Sequence, residues 1–223
     1  MRILYAAPGK QLVEACGPTR HVLAVTRELA RLADVTVAFR TFIDPPPADG
    51  ARFIALDPEY TPPPDARTSD TAIVGFNVAA HRRYLRTLRR FAADHRDAFD
   101  CVLEKAWIGS GALARHFTAH GVPTALMEVA QRRTRLMIGW SPRSMARRLV
   151  HRATGRRVAR TLRRAAAVVV ETDVLRNDLV TRVGVAPGNA GTSSSCRPAL
   201  TTRDSPPATR SIAALNWACR PTP

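Results

Sequence analysis

Lysine is almost missing from this chain. Lys10 and Lys105 are the only two in 223 residues. Lys and Arg together still number 34 against 18 Asp and Glu, so the formal net charge of +16 is nearly all arginine. Ala and Arg dominate, and Val and Pro are plentiful, as GC-rich codons favour, so part of the basicity needs no polyanionic partner. Aromatic residues are scarce at 6%. No helix-turn-helix, zinc-finger or RNP pattern stands out, and charge alone supports a nucleic-acid partner. Cys16, Cys101, Cys196 and Cys219 show no CxxC spacing. That argues against a zinc site or a disulfide framework and for free thiols in a reducing compartment; no metal is expected. No apolar run approaches a membrane-spanning length. The opening "MRILYAAPG" has one Arg and too short an apolar run for a secretory signal. The expected location is the cytoplasm. No internal repeat is found.

What is present is ordinary for a globular protein: 45% hydrophobic and 23% charged residues. The length suffices for one full-sized domain with a core and the start of a second. "RILYAAP" (Arg2–Pro8) predicts a buried first strand that leaves through Pro-Gly into a loop, "GKQLVEACGPTR". Val22, Leu23, Val25, Leu29 and Leu32 then recur at helical spacing, and "DVTVAFR" (Asp34–Arg40) predicts the second strand. This strand–helix–strand opening points to a parallel sheet. Further strands are expected at Arg52–Asp57, Asp100–Ala106, Val122–Val129 and Ala165–Thr172. Helices are expected over 73–96, over "GSGALARHFTAHG" with Gly121 as its terminal glycine, over Arg143–Arg164 and from Asp173 to Gly184. The fold class is therefore α/β, a Rossmann-like doubly wound parallel sheet filling residues 1–189. Ligands of such sheets bind outside the carboxyl ends of the strands, so the loops after strands one, four and five are the ones to watch.

Residues 190–223 have no apolar periodicity and are rich in Ser, Thr, Pro and Arg. They are expected to be a disordered, non-native tail, produced by a change of reading frame near Asn189. Let each new codon take the last base of one codon and the first two of the next. With TCN serine codons, Ser193, Ser194, Ser195 and Cys196 then become codons with a middle T, all apolar. Arg197 to Thr201 become Pro-Pro-Gly-Ala-Asp in the simplest case. From Arg210 the shifted frame can read Ala-Leu-Asp-Arg-Arg-Ala-Glu-Leu-Gly-Leu-Pro-Pro. A strand, a turn and a helix start replace the tail, and agreement at several levels is what real sequences show.

The segments "MRILYAAP … CGPTRHVLAVTRELARL", "FDCVLEKAWIGSGALARHFTAHGVPTALMEV" and "LRRAAAVVVETDVLRNDLVTRVGVAPGN" resemble, in that order, the N-terminal domain of family-4 retaining glycosyltransferases of the GT-B fold. In that family a strand and a Pro-x-Gly-x-Asp turn follow, as the shifted frame supplies. The resemblance implies one half of a GT-B enzyme, the acceptor side. It implies a reaction in which a sugar passes from a nucleotide-sugar to an acceptor hydroxyl with retention. The donor is a substrate, and no cofactor is implied. The resemblance implies that the C-terminal domain that holds the donor is absent here, and this chain alone is expected to be inactive. Some family members act on lipid-linked acceptors at the inner membrane surface.

Candidate residues follow, each with a plainer reading. Gly17, Thr19 and Arg20 fall where the family approaches the donor diphosphate; a helix N-terminus can hold phosphate, and Arg can pair with it. Gly17 can equally be a simple turn, and Arg20 and His21 a solvated helix start. Glu128, ending the fifth strand, is the candidate acceptor-side base or hydroxyl ligand, or else an ion-pair partner of Arg132 or Arg133. Glu104 and Lys105 could line the acceptor site with Trp107 as a sugar-stacking surface, or form a salt-bridged strand end. Arg143–Arg164 could contact an anionic membrane or a phosphorylated acceptor, or be a solvated helix face. Two other functions compete: a basic nucleic-acid-binding protein, and a non-catalytic sugar- or nucleotide-binding module.

Overall fold

The structure, a computed structural model, describes residues 1–48, 50–61, 78–107, 111–128, 156, 159–170, 172–186 and 189–192. Among the described residues seven strands form one sheet: β1 (Arg2–Leu12), β2 (Asp34–Phe42), β3 (Arg52–Ala55), β4 (Cys101–Lys105), β5 (Thr124–Glu128), β6 (Ala167–Val170) and β7 (Ala190–Thr192). Their order is β3-β2-β1-β4-β5-β6-β7, and every neighbouring pair is parallel. The helices are α1 (Gly17–Ala30), α2 (Val78–Asp94), α3 (Ala114–Ala119) and α4 (Asp173–Asp178), the last running into a π turn at Leu179–Val183. Residues 159–164 are also helical. The expected α/β, Rossmann-like doubly wound sheet is what the chain forms.

Period two along β1 builds two cores at once. Ile3, Tyr5 and Ala7 pack with Val22, Val25 and Leu29 of α1. Leu4 and Ala6 pack with Tyr84, Leu88 and Ala92 of α2 and Phe117 of α3. A strand buried on both faces must be apolar almost throughout, which is why "ILYAA" does not alternate with polar residues. A third cluster joins Leu126, Val168 and Val170 to Leu162, Leu175 and Leu179.

Three details depart from the sequence-based boundaries. First, β1 runs on to Leu12, through residues expected to loop. A register irregularity after Ala7 lets Gln11 and Leu12 pair with Thr41 and Phe42 of β2, while β4 pairs only with Ile3–Ala6. Second, α1 starts at Gly17, with Pro18 in its first turn, where a missing N–H costs nothing. Third, β7 uses Ala190–Thr192, the first residues of the stretch assigned above to the tail, pairing with Val168–Val170; 193–223 lie outside the described residues. Gly121 adopts φ 79°, the left-handed state expected of a glycine just past a helix. Cys16 is a free thiol. Cys101, fully buried in β4, is disulfide-bonded, contrary to the expectation of free thiols throughout.

Candidate functional site

The strand order reverses its direction of growth between β1 and β4: β2 and β3 lie on one side of β1, β4 to β7 on the other. In open parallel sheets a crevice opens at such a point, outside the carboxyl ends of the strands. The end of β1, the start of α1 and the end of β4 all reach this place.

Lys105, the last residue of β4, is 3% exposed. Its Nζ lies 3.0 Å from Nδ1 of His21 in α1. This pairing joins two residues 84 apart in the chain. Arg20, exposed, donates from Nε to the Glu14 carbonyl at 3.2 Å. Thr19 is buried, and its Oγ1 bonds the Gln11 carbonyl at 3.3 Å. Thr19 therefore fastens α1 to the extended end of β1. A Cβ added at Gly17 would meet nothing within 4 Å, so packing within the chain does not require glycine there. The N-cap residue Cys16 makes no side-chain capping bond, and the first turn of α1 has no acidic residue. The loop before it is held by the Glu14 N–H donating to Asp44 Oδ2 at 2.7 Å.

Glu104 does something the sequence did not suggest. It is fully buried, and its carboxylate accepts from Trp107 Nε1 at 2.9 Å, Gly111 N at 2.8 Å and Ala114 N at 2.7 Å. It satisfies backbone donors at the start of α3 and fixes the turn that leads there. Among the described salt bridges none involves Glu104, so its anchor is a set of N–H groups rather than a cation. Burial pushes its carboxyl up to about 7, against the pull of those donors and of the Leu113 N–H.

Trp107 is half-buried and held on several sides. Its ring meets Tyr84 edge-on at 5.7 Å and His81 at 5.9 Å. A Cβ on Gly9 would stand 2.5 Å from the Trp107 Cβ. Tyr84 in turn donates its hydroxyl to the Pro8 carbonyl at 2.7 Å, and burial pushes its phenol well above its ordinary value. Neither the Gly9–Trp107 approach nor the Tyr84–Pro8 bond was legible in the sequence. Periodicity put Tyr84 on the buried face of a helix, and "PG" after a strand marks a turn, but neither names a partner.

Glu128 is the last residue of β5 and pairs with Val170 of β6. Its backbone thus sits at the carboxyl edge, one residue beyond Met127, which is opposite Lys105; its side chain lies outside the described part of the structure. Of the basic stretch, residues 143–155 lie outside the described residues, while Arg156, Arg160, Arg163 and Arg164 are exposed. Among the described residues no three His, Cys, Asp or Glu side chains gather as a metal site, and no helix is long and apolar enough to cross a membrane.

The fold and its crevice define a Rossmann-like α/β unit of the kind that makes up one half of a GT-B enzyme. In shape the chain is similar to sucrose-phosphate synthase from Thermosynechococcus elongatus, with a TM-score of 0.55 and 14% identity over 86% of this chain and 47% of that one. It is similar to UDP-N-acetylglucosamine 2-epimerase from Rickettsia bellii, with a TM-score of 0.50 and 11% identity over 86% and 44%. It is similar to Os79 from O. sativa, solved in complex with UDP and deoxynivalenol-3-glucoside, with a TM-score of 0.51 and 14% identity over 86% and 51%. The chain spans about half the length of these structures. No protein-family model and no curated sequence matches it.

Proposed function

We propose that this chain is the acceptor-side half of a glycosyltransferase of the retaining, family-4 type. In the whole enzyme a sugar leaves a nucleotide-sugar for an acceptor hydroxyl. The observation that carries the reading is the point between β1 and β4 where the strand order reverses. It gathers Gly17, Thr19 and Arg20 at an uncapped helix start, with His21 and Lys105 beside them. The fold supports the same reading, being shared with sucrose-phosphate synthase and with Os79.

In this proposal the start of α1 faces the donor diphosphate, and Lys105 and Trp107 border the acceptor. Glu128 is the acceptor-side carboxylate that takes the hydroxyl proton or orients it. Glu104 serves as the brace that holds Trp107 and α3. The donor sugar-nucleotide is held mainly by a second α/β half, without which turnover is not expected. The acceptor is lipid-linked or otherwise anionic, and Arg143–Arg164 meets the inner membrane surface from the cytoplasmic side.

The test starts with the gene. It is resequenced across codons 185–195 and read onward in all frames. A downstream α/β half is joined in frame, and the product is assayed for nucleotide release from a panel of nucleotide-sugars. The anomeric configuration of the transferred sugar is read by NMR. Release with retained configuration supports the proposal. An inverted product overturns the retaining assignment, and the lack of any second half in every frame removes the transferase reading.

A further inference from the structure

The outer face of α2 carries charge of almost one sign. Arg82, Arg83, Arg86, Arg89 and Arg90 are all exposed, and Asp94 at the far end is the one acidic residue of the helix. At 3.6 residues per turn the five fall within an arc of about 120°. That arc lies opposite the buried Tyr84, Leu88 and Ala92. Among the described ion pairs and side-chain hydrogen bonds, none ties up any of the five guanidinium groups. Like charges three and four residues apart destabilise a helix, so the stripe brings the fold itself no gain. An arginine-rich composition would spread such residues evenly, yet α1 has two arginines and a glutamate. We infer that the arginine stripe of α2 docks the chain on an anionic phospholipid membrane.

The shape of the surface decides between polyanions. α2 does not protrude. It packs beside α3 through the edge-on contact of Phe91 and Phe117, and α3 shares a core cluster with the 159–164 helix through Ala114 and Leu162. Exposed Arg115, Arg160, Arg163 and Arg164 continue the same sign along that layer. Three helices side by side at about 8–10 Å spacing are too wide for a major groove of about 12 Å. Single strands are held on aromatic platforms, and no exposed side chain of α2 is aromatic. A broad cationic layer fits a plane of phosphate headgroups. The apolar face of α2 is spent on the core, and no large hydrophobic of α2 is exposed, so the contact is electrostatic, without insertion. The stripe begins at the carboxyl edge of the sheet, where His81 meets Trp107 and Tyr84 bonds the Pro8 carbonyl. This contact is separate from the one proposed for Arg143–Arg164 and needs no transferase activity.

Flotation of the full chain with vesicles tests this. Vesicles of phosphatidylcholine alone are compared with vesicles that also hold phosphatidylglycerol. The expected result is binding to the anionic vesicles only, lost at high salt. Arg86→Gln combined with Arg90→Gln should weaken that binding about 30-fold, the usual effect of two basic residues near a charged surface. Gln forms helix nearly as well as Arg, so α2 is kept. Arg27→Gln combined with Arg31→Gln, the same change of charge on the α1 side, should leave binding nearly unchanged. Equal effects of the two pairs overturn the inference, as do absent binding, equal binding to both vesicles, or tighter binding to duplex DNA or RNA. Should the α2 pair not fold, phenylglyoxal modification of the wild-type chain, read by mass spectrometry, decides. Anionic vesicles must then protect Arg86 and Arg90 more than Arg27 and Arg31, and equal protection overturns the inference. Vesicle binding by a joined enzyme that transfers no sugar counts against the proposed function and leaves the docking face standing.

Discussion

At the scale of single residues, Glu104 concentrates the most consequence. Its two oxygens answer three N–H groups from Trp107, Gly111 and Ala114. Glu104→Ala leaves those donors without their acceptor, at about 1–3 kcal/mol for each buried group. The expected loss, read by denaturant unfolding, is ~3 kcal/mol or more. The same carboxyl also sets a pH dependence. Its value rises from 4.5 to about 7 on folding because of burial. Between those values the folded chain holds a proton that the unfolded chain has released. The group's contribution to stability is then complete below the unfolded value and is lost as pH rises through about 7. Denaturation midpoints of the wild type should fall over that window, and those of Glu104→Gln should fall less. Gly9 gives a second prediction. Because the added Cβ would lie 2.5 Å from Trp107 Cβ, Gly9→Ala must move the indole or the end of β1. The expected cost is about 1–3 kcal/mol, as for other overpacked sites, with a shift in tryptophan fluorescence. A shift without any loss would mean that the strand end yields freely. The sequence placed Glu104, Lys105 and Trp107 at a strand end correctly. It could not say that Glu104 would turn towards backbone groups 7 and 10 residues on, nor that Lys105 would find His21. Such pairings depend on how separate elements are brought together, which periodicity does not record.

At the scale of elements, the legible features were those written in hydrophobic pattern. The first six strands fall within or across their expected runs, and α2 keeps Tyr84 and Leu88 buried as its spacing implied. The misjudged end of β1 has a physical cause. "GKQL" looks like a loop because Gly and Lys interrupt an apolar run. The irregularity after Ala7 restores pairing with β2 beyond them. β7 was missed because three residues carry too little pattern to register, and only the groove beside β6 gives them a place. The contact between α2 and β1 supplies a prediction at this scale. Tyr84→Phe removes the donor to the buried Pro8 carbonyl while keeping the ring against Trp107. An expected loss of about 1–3 kcal/mol follows from leaving that acceptor unpaired. Equal thermal stability of the two forms would show that water takes the place of the hydroxyl.

At the scale of the whole molecule, the sheet carries helices on both faces, and its interior depends on residues that touch more than one element. Leu126, fully buried at the centre of β5, belongs to the cluster that holds β6, the 159–164 helix and α4 together. Leu126→Ala should cost about 2–5 kcal/mol by the usual cavity argument. The loss should appear as one cooperative transition in both far-ultraviolet circular dichroism and tryptophan fluorescence. Two separated transitions would mean that the β5–β7 side unfolds by itself. The crevice, too, is a property of the whole. It exists because strand order reverses at β1, and no local motif announces it.

That reversal has a consequence for how the chain is made. β1 emerges early, yet the strand that covers one of its edges is β4, and the bond from Arg2 to Asp100 spans 98 residues. At the ~5–20 residues per second of synthesis, that edge waits on the order of 5–20 s for its neighbour. During this time "ILYAA" is an apolar strand with one open side, of the kind that seeks other chains. A ribosome stalled before residue 100 would therefore hold a nascent chain in its stickiest form, and a chaperone that covers β1 would act most strongly in that interval.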